Sequence, residues 1–152
     1  MIFDTHAHYS DGRFAQDRET ILSEMMDRGV GNIVEVGAGV ESTKDALVLA
    51  HQYDFIYAAV GIHPEEVESL DESHMDWLKE LSQDDKVVAM GEIGLDYYYD
   101  EPPREIQRYW FMRQLQIAAE AGMPVIIHSR DAAQDTLEVM QEHCDWENGG
   151  VI

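Results

Sequence analysis

The chain has 152 residues, of which 45% are hydrophobic, and this is enough for one buried core in a single domain spanning residues 1–152. With 31 acidic and 10 basic residues, its net charge at pH 7 is −21. Such a surface repels polyanions, which disfavours broad electrostatic binding to nucleic acid or to anionic lipid. A phosphate-bearing substrate would therefore need a local cation, and a pair of divalent metal ions would provide it.

The sequence gives few indications of where the protein is located. No apolar stretch approaches the roughly 18 residues that a membrane helix needs, and the first residues do not resemble a secretory signal. The single cysteine, Cys144, cannot form an intrachain disulfide. We therefore expect a cytoplasmic protein with no membrane partner.

Short β-branched runs alternate with helical patterns along the chain. The predicted strands cover residues 1–5, 32–36, 55–60, 86–91, 124–128 and 150–152. The predicted helices begin at Asp17, at Ser42 with a capping-box-like pattern, after Asp71, near Pro103, and after Asp131 as cap. Their expected inward residues include Met26, Ile106 and Leu137. This β-α order without linkers predicts one parallel α/β sheet. A complete (β/α)8 barrel needs roughly 250 residues, so by that template the chain holds about five and a half βα units.

The first strand leads into the segment Asp4-Thr5-His6-Ala7-His8. Because strand side chains alternate between faces, His6 and His8 project the same way. Imidazole is a common ligand for zinc and similar ions, so this pair predicts the beginning of a metal site. By itself an His-x-His pair is a weak signal.

Three further strand ends deliver polar side chains to the same edge of a parallel sheet, where active sites of such folds form. Strand three leads to His63, strand four to Glu92 and Asp96, and strand five to His128 and Arg130. His63 is either functional or a turn residue before a proline, and His128 is either functional or a buried core histidine.

Glu92 follows Val88 and Met90 on what alternation predicts to be one strand face, so its carboxylate should point where buried side chains point. A buried carboxylate needs a partner, either a metal ion or a base such as Arg130. A carboxylate that bridges two ions would suit a two-metal hydrolase, with Zn2+, Mn2+ or Mg2+ as candidates. The run Tyr97-Tyr98-Tyr99 is either a stacking surface for bases or sugars or simple packing.

Four segments together closely resemble the TatD family of metal-dependent deoxyribonucleases: residues 4–8, 60–64, 91–97 and 124–132. The resemblance implies a TIM-barrel hydrolase of the amidohydrolase type, with two divalent metal ions at the carboxyl mouth and DNA as substrate. It implies that His6 and His8 hold one ion, that Glu92 bridges and is catalytic, and that His128 holds the second ion. His63 is implied as a substrate-side or acid/base residue, with Asp96 and Arg130 as substrate-binding residues.

Family members continue with a further histidine after a Gly-Val-hydrophobic strand and, later, a metal-binding aspartate. This sequence stops at Ile152, so we expect it to correspond to the N-terminal part of such an enzyme, with exposed strand edges that favour instability or association. Three functions stay open: an exonuclease-type deoxyribonuclease, an amidohydrolase acting on a C–N or ester bond, and a non-catalytic metal-binding module.

Overall fold

A computed structural model describes residues 1–152 and contains six strands and five α-helices. The strands are β1 (Ile2–Ala7), β2 (Val30–Val36), β3 (Ile56–Val60), β4 (Val87–Asp96), β5 (Val125–Arg130) and β6 (Gly150–Val151). The helices are α1 (Arg18–Glu24), α2 (Val40–Gln52), α3 (Glu72–Leu81), α4 (Arg104–Ala121) and α5 (Ala133–His143). Short 3-10 helices cover Gly12–Phe14 and Pro64–Ser69. No helix is both long enough and apolar enough to cross a membrane.

The six strands form one sheet in the order β1-β2-β3-β4-β5-β6, and every neighbouring pair is parallel. This confirms the predicted parallel α/β architecture. Three strand spacings would separate β1 from β4 by roughly 14 Å in a flat sheet, yet the side chains of His6 on β1 and Glu92 on β4 come within 3.3 Å. The sheet must therefore curl, as a barrel wall does, with both side chains on its concave face.

Two groups of apolar side chains line the two faces of this curled sheet. The larger one contains 28 buried residues and lies between the sheet and the helices; Leu22, Leu78 and Phe111 are among its fully buried members. The smaller one is the set Val34, Val36, Ala59, Ala89 and Ile126, all from strands. The side chains of the predicted metal site, among them His6, Glu92 and His128, lie beyond this smaller set toward the carboxyl ends of the strands.

Two helix boundaries follow their sequence signals closely. The Asp71 side chain caps α3, accepting a hydrogen bond from the backbone N–H of Ser73, and His74 completes a capping box. At the end of α4, Gly122 takes the left-handed conformation with φ +66°, which glycine adopts without steric cost.

Two other predicted caps are wrong. Gly39, not Ser42, precedes α2, and the Ser42 hydroxyl accepts a hydrogen bond from the backbone N–H of Ala38 instead. Ala132 precedes α5, and no side chain caps it. Asp131 lies one residue earlier, at φ +51°, in the loop that leaves β5.

Several residues expected to face inward are exposed. Met26 is 54% exposed because α1 ends at Glu24, and Leu137 is 47% exposed because α5 turns Thr136, Val139 and Met140 inward. Ile106 is less exposed than these two residues, at 36%.

The alternation used for Glu92 is also wrong in one respect. Met90 packs in the larger core next to the helices, whereas Glu92 faces the concave side. The reason is an irregularity in β4: its register against β5 shifts between Met90 and Ile93. Val88, by contrast, packs against the smaller set of side chains.

Candidate metal centre

The carboxyl end of β1 places two imidazoles side by side. The Nε2 atoms of His6, on β1, and His8, one residue past the end of β1, lie 3.1 Å apart. The Nδ1 atom of His8 lies 2.9 Å from the carbonyl oxygen of Val36 at the end of β2. Because a carbonyl only accepts hydrogen bonds, Nδ1 of the neutral ring carries the proton, and Nε2 keeps a lone pair directed into the site.

Glu92 on β4 joins the two sides of the site. Its Oε2 atom lies 3.3 Å from Nε2 of His6 and 3.9 Å from Nε2 of His8. Its other oxygen, Oε1, lies 3.0 Å from Nδ1 of His128 on β5. One carboxylate thus spans the space between the β1 histidines and His128.

His63 and Asp96 complete the second side. The ring centroids of His63 and His128 are 4.2 Å apart. The Nδ1 atom of His63 accepts a hydrogen bond of 3.2 Å from the backbone N–H of Glu65, so its neutral ring carries the proton on Nε2. Asp96 Oδ2 lies 2.8 Å from Nε2 of His128, and the Asp96 side chain is only 2% exposed.

These contacts shift the pKa of four of the side chains. Burial disfavours ionisation of Glu92, but hydrogen bonds from His128 and His6 outweigh burial and hold its pKa well below the usual range. The hydrogen bond to Glu92 in turn raises the pKa of His6. Burial opposes a proton on His128, yet Glu92 and Asp96 together raise its pKa. Burial, with the nearby His128, lowers the pKa of His63 to about 4, so this ring is neutral at pH 7.

The donor set fits divalent cations. Two groups each offer three ligand atoms within 4.8 Å of one another, namely His6–His8–Glu92 and His63–Glu92–His128. Glu92 is shared between the groups. Imidazole nitrogens 3.1 Å apart need a proton or a cation between them, and nitrogen donors combined with a carboxylate suit Zn2+ or Mn2+.

Arg130 stands beside this cluster. It ends β5 in register with Asp96, and its Nη1 atom lies 4.0 Å from Asp96 Oδ2. Its guanidinium carbon lies 3.7 Å from the ring centroid of Tyr98. Because Glu92 contacts histidines instead, the ion pair between Arg130 and Glu92 that the sequence left open is not formed.

Sequence reasoning missed two residues that hold the loop after His8. Glu35 on β2 is fully buried and accepts hydrogen bonds from the backbone N–H groups of Tyr9 (2.9 Å) and Ser10 (2.7 Å). Arg18 on α1 donates to the carbonyl oxygens of Tyr9 (2.5 Å) and Ser10 (2.7 Å). The one signal available was an acidic residue inside an otherwise apolar stretch of strand.

The surroundings of the site are acidic. A cavity of about 600 Å3 opens beside Glu92 and His63. Its wall, formed by the amino end of α2 and the second 3-10 helix, carries Glu41, Glu65 and Glu66. The three other histidines lie outside the site, and each pairs with a nearby acidic residue: the pairs are His51–Asp84, His74–Asp71 and His143–Glu142.

A parallel α/β sheet with imidazoles and carboxylates gathered at its carboxyl edge is the arrangement of the barrel-type metal-dependent hydrolases. The family model described as TatD related DNase matches residues 3–152. The chain therefore belongs to the TatD family, which confirms the resemblance drawn from the four sequence segments.

Individual relatives agree with this assignment. The chain is 40% identical over its whole length to "Uncharacterized metal-dependent hydrolase YabD" of Bacillus subtilis, of which it covers 60%. It is 31% identical to "3'-5' ssDNA/RNA exonuclease TatD" of Shigella flexneri, with 99% of this chain and 58% of that protein aligned. The chain thus spans somewhat more than half the length of these relatives.

Solved structures confirm the fold class. The crystal structure of the TatD homologue YjjV from Escherichia coli superposes with a TM-score of 0.85 at 34% identity, covering 93% of this chain and 56% of that one. A TatD family hydrolase from Entamoeba histolytica superposes with a TM-score of 0.87 at 21% identity, covering 99% and 57%, and supports the fold alone.

Proposed function

We propose that residues 1–152 form one domain that carries the metal centre of a divalent-metal-dependent hydrolase, a deoxyribonuclease that cleaves DNA phosphodiester bonds as an exonuclease. The observation that carries the proposal is the convergence of His6, His8, Glu92 and His128 from three strands. Relatives named exonucleases support the nucleic-acid part. Because the chain spans only part of their length, activity of the 152 residues themselves belongs to the proposal.

In this proposal the chain binds two ions. His6 and His8 would hold one ion, His128 would hold the other, and the Glu92 carboxylate would bridge the two. Zn2+, Mn2+ and Mg2+ are the candidates. When bound, such a pair polarises the phosphoryl group and activates water as the nucleophile.

Two of the remaining site residues contact the substrate, and the third orients a metal-binding histidine. His63, with its proton on Nε2, donates a hydrogen bond to a substrate oxygen beside the ions. Arg130 binds a phosphate. For Asp96 we propose a different role from the substrate contact expected from sequence, because its oxygens are buried and already bound. It accepts a hydrogen bond from Nε2 of His128 and so orients that ring for binding through Nδ1.

Metal content and hydrolysis, measured on the same preparation, test the proposal. The chain loaded with Mn2+ should release nucleotides from a labelled single-stranded oligodeoxynucleotide. His6→Ala or Glu92→Ala should abolish release, while His51→Ala, a histidine outside the site, should not. Unchanged release by the His6 and Glu92 variants would contradict the assignment, and ion binding without turnover would support the metal-binding module instead.

The acidic cavity favours a second candidate, an amidohydrolase acting on a C–N or ester bond of a small molecule. Glu41, Glu65 and Glu66 at its wall repel a polyanion but not a neutral or cationic compound. A side-by-side assay on single-stranded DNA and on small amides and esters separates the two, since only one substrate class should be hydrolysed at an appreciable rate.

A further inference from the structure

We propose that Tyr98, Tyr99 and Arg130 form a binding site for single-stranded nucleic acid, in which the tyrosine rings stack on unpaired bases and the guanidinium binds one backbone phosphate. We name these three residues the stacking site. The proposal rests on the proposed nuclease function and adds to it the residues that hold the substrate.

The stacking site is tied to the candidate metal centre. Asp96 accepts a hydrogen bond of 3.0 Å from the backbone N–H of Tyr98 through Oδ1, and contacts His128 through Oδ2. Arg130 is the register partner of Asp96 on the neighbouring strand. The stacking site and His128 therefore share Asp96 as a neighbour, so a nucleic acid bound at the tyrosines would lie beside the candidate metal centre.

The three consecutive tyrosines have different roles. Tyr97 is 7% exposed, and its hydroxyl donates a hydrogen bond of 2.7 Å to Asp135 on α5, so it is a packing residue. Tyr98 and Tyr99 are 55% and 66% exposed, and their ring centroids are 4.6 Å apart at an interplanar angle of 89°. These two rings, each more than half exposed beside a candidate active site, keep aromatic surface open to solvent that could stack on a base.

Arg130 supplies the charge that this surface needs. Its guanidinium lies over the Tyr98 ring, 3.7 Å from the centroid, and 5.7 Å from the centroid of Tyr99. The one carboxylate oxygen within 4.0 Å belongs to Asp96 and lies at that limit, beyond hydrogen-bond distance. The side chain is 45% exposed, so its N–H groups can bind a phosphate while the ring fixes its plane.

The net charge of −21 limits how strongly electrostatic attraction can contribute to the affinity of the stacking site for nucleic acid. A basic nucleic-acid protein gains affinity from many phosphate contacts and loses it steeply with salt, by a logarithmic slope of about 0.7 for each phosphate on a single strand. The stacking site contains one arginine, Arg130, to bind a phosphate of the nucleic acid. Stacking on the tyrosines must therefore supply most of the affinity. We therefore expect binding with a shallow salt dependence, of slope about −0.7.

Fluorescence anisotropy of a 5′-labelled oligothymidylate, titrated with the chain at several salt concentrations, tests the proposal. The double variant Tyr98→Leu/Tyr99→Leu should weaken binding about tenfold or more, since each stacked base contributes appreciably. Tyr98→Phe/Tyr99→Phe keeps the rings and should bind like the wild type. Arg130→Gln should bring the salt slope close to zero. Tyr109→Leu, which removes an exposed tyrosine of α4, is the matched control and should leave binding unchanged.

Hydrolysis of bis-p-nitrophenyl phosphate, a diester without bases, is measured in parallel and tests the proposed function separately. Tyr109→Leu should keep the wild-type rate on this compound, whereas the stacking site is judged by oligonucleotide affinity, which the leucine double variant should lose. Wild-type binding by that variant, or a wild-type chain that does not bind the oligonucleotide, overturns the stacking site whatever the diester result. Absence of diester hydrolysis in the wild type counts against the proposed function and not against the stacking site.

Discussion

Glu35 holds the loop that follows His8, one of the proposed metal ligands. Its buried carboxylate accepts two hydrogen bonds from the backbone N–H groups of Tyr9 and Ser10, the two residues that follow His8. The next residue on its strand, Val36, contributes the carbonyl oxygen that meets Nδ1 of His8. Glu35 and its neighbour Val36 therefore hold both the ring of His8 and the backbone that follows it.

Glu35→Gln keeps the size of the side chain but replaces one acceptor oxygen with an NH2 donor, so one of the two backbone N–H groups loses its partner inside the protein. An unsatisfied buried donor costs about 1–3 kcal/mol, and we expect the free energy of unfolding to fall by about 2 kcal/mol. For a chain of this size, that corresponds to a fall in Tm of about 4–8 °C.

Urea unfolding followed by circular dichroism measures this loss, and calorimetric titration with Mn2+ measures whether His8 is displaced. Glu41→Gln, an exposed glutamate paired with Lys44, is the matched control and should change stability by less than about 0.5 kcal/mol. If the Glu35 and Glu41 variants are equally stable and bind Mn2+ equally well, Glu35 does not hold the loop.

Three further predictions concern the metal ligands, a strand glycine and alkaline stability. His6→Ala should weaken Mn2+ binding in calorimetry at least tenfold, whereas the control His51→Ala should not. Gly94→Ala should destabilise the chain by about 3 kcal/mol, because this residue has φ +147° and its new methyl group would meet the backbone of β5, while Gly12→Ala, with open space around it, should be nearly neutral. Urea unfolding compares the two glycine variants. Burial and a hydrogen bond to an aspartate of α5 raise the pKa of Tyr97 to about 12. Since the unfolded value is about 10, this contribution to stability is complete below pH 10 and is lost as the pH rises toward 12. Tyr97→Phe should remove that loss, which unfolding at pH 8 and pH 11 would show.

The order of strands and helices and the meeting of His6, His8, Glu92 and His128 were predictable from sequence. Apolar runs that end in histidine or glutamate place those residues at one edge of a parallel sheet, whatever the details of packing. The direct contact of His128 with Asp96 was not predictable, because β4 continues to Asp96, well past its predicted end at residue 91.

Other features depend on contacts that one strand or helix does not encode. The face of Glu92 relative to Met90 follows from a register shift against β5, and no property of β4 alone reveals it. The exposed position of Leu137 depends on how α5 settles against α4. Glu35 was visible only as a charged residue in an apolar strand; its role requires knowing that the loop after His8 lies against β2.

The number of metal ions bound per chain tests the central claim most directly. Mass spectrometry of the purified chain, after saturation with Mn2+ and removal of excess ion, should give two ions for the wild type. Glu92→Gln, which removes the proposed bridge, should give fewer than one tightly bound ion, while His51→Ala should still give two. A wild-type chain without bound metal, or a Glu92 variant that keeps both ions, would contradict the proposed two-metal centre.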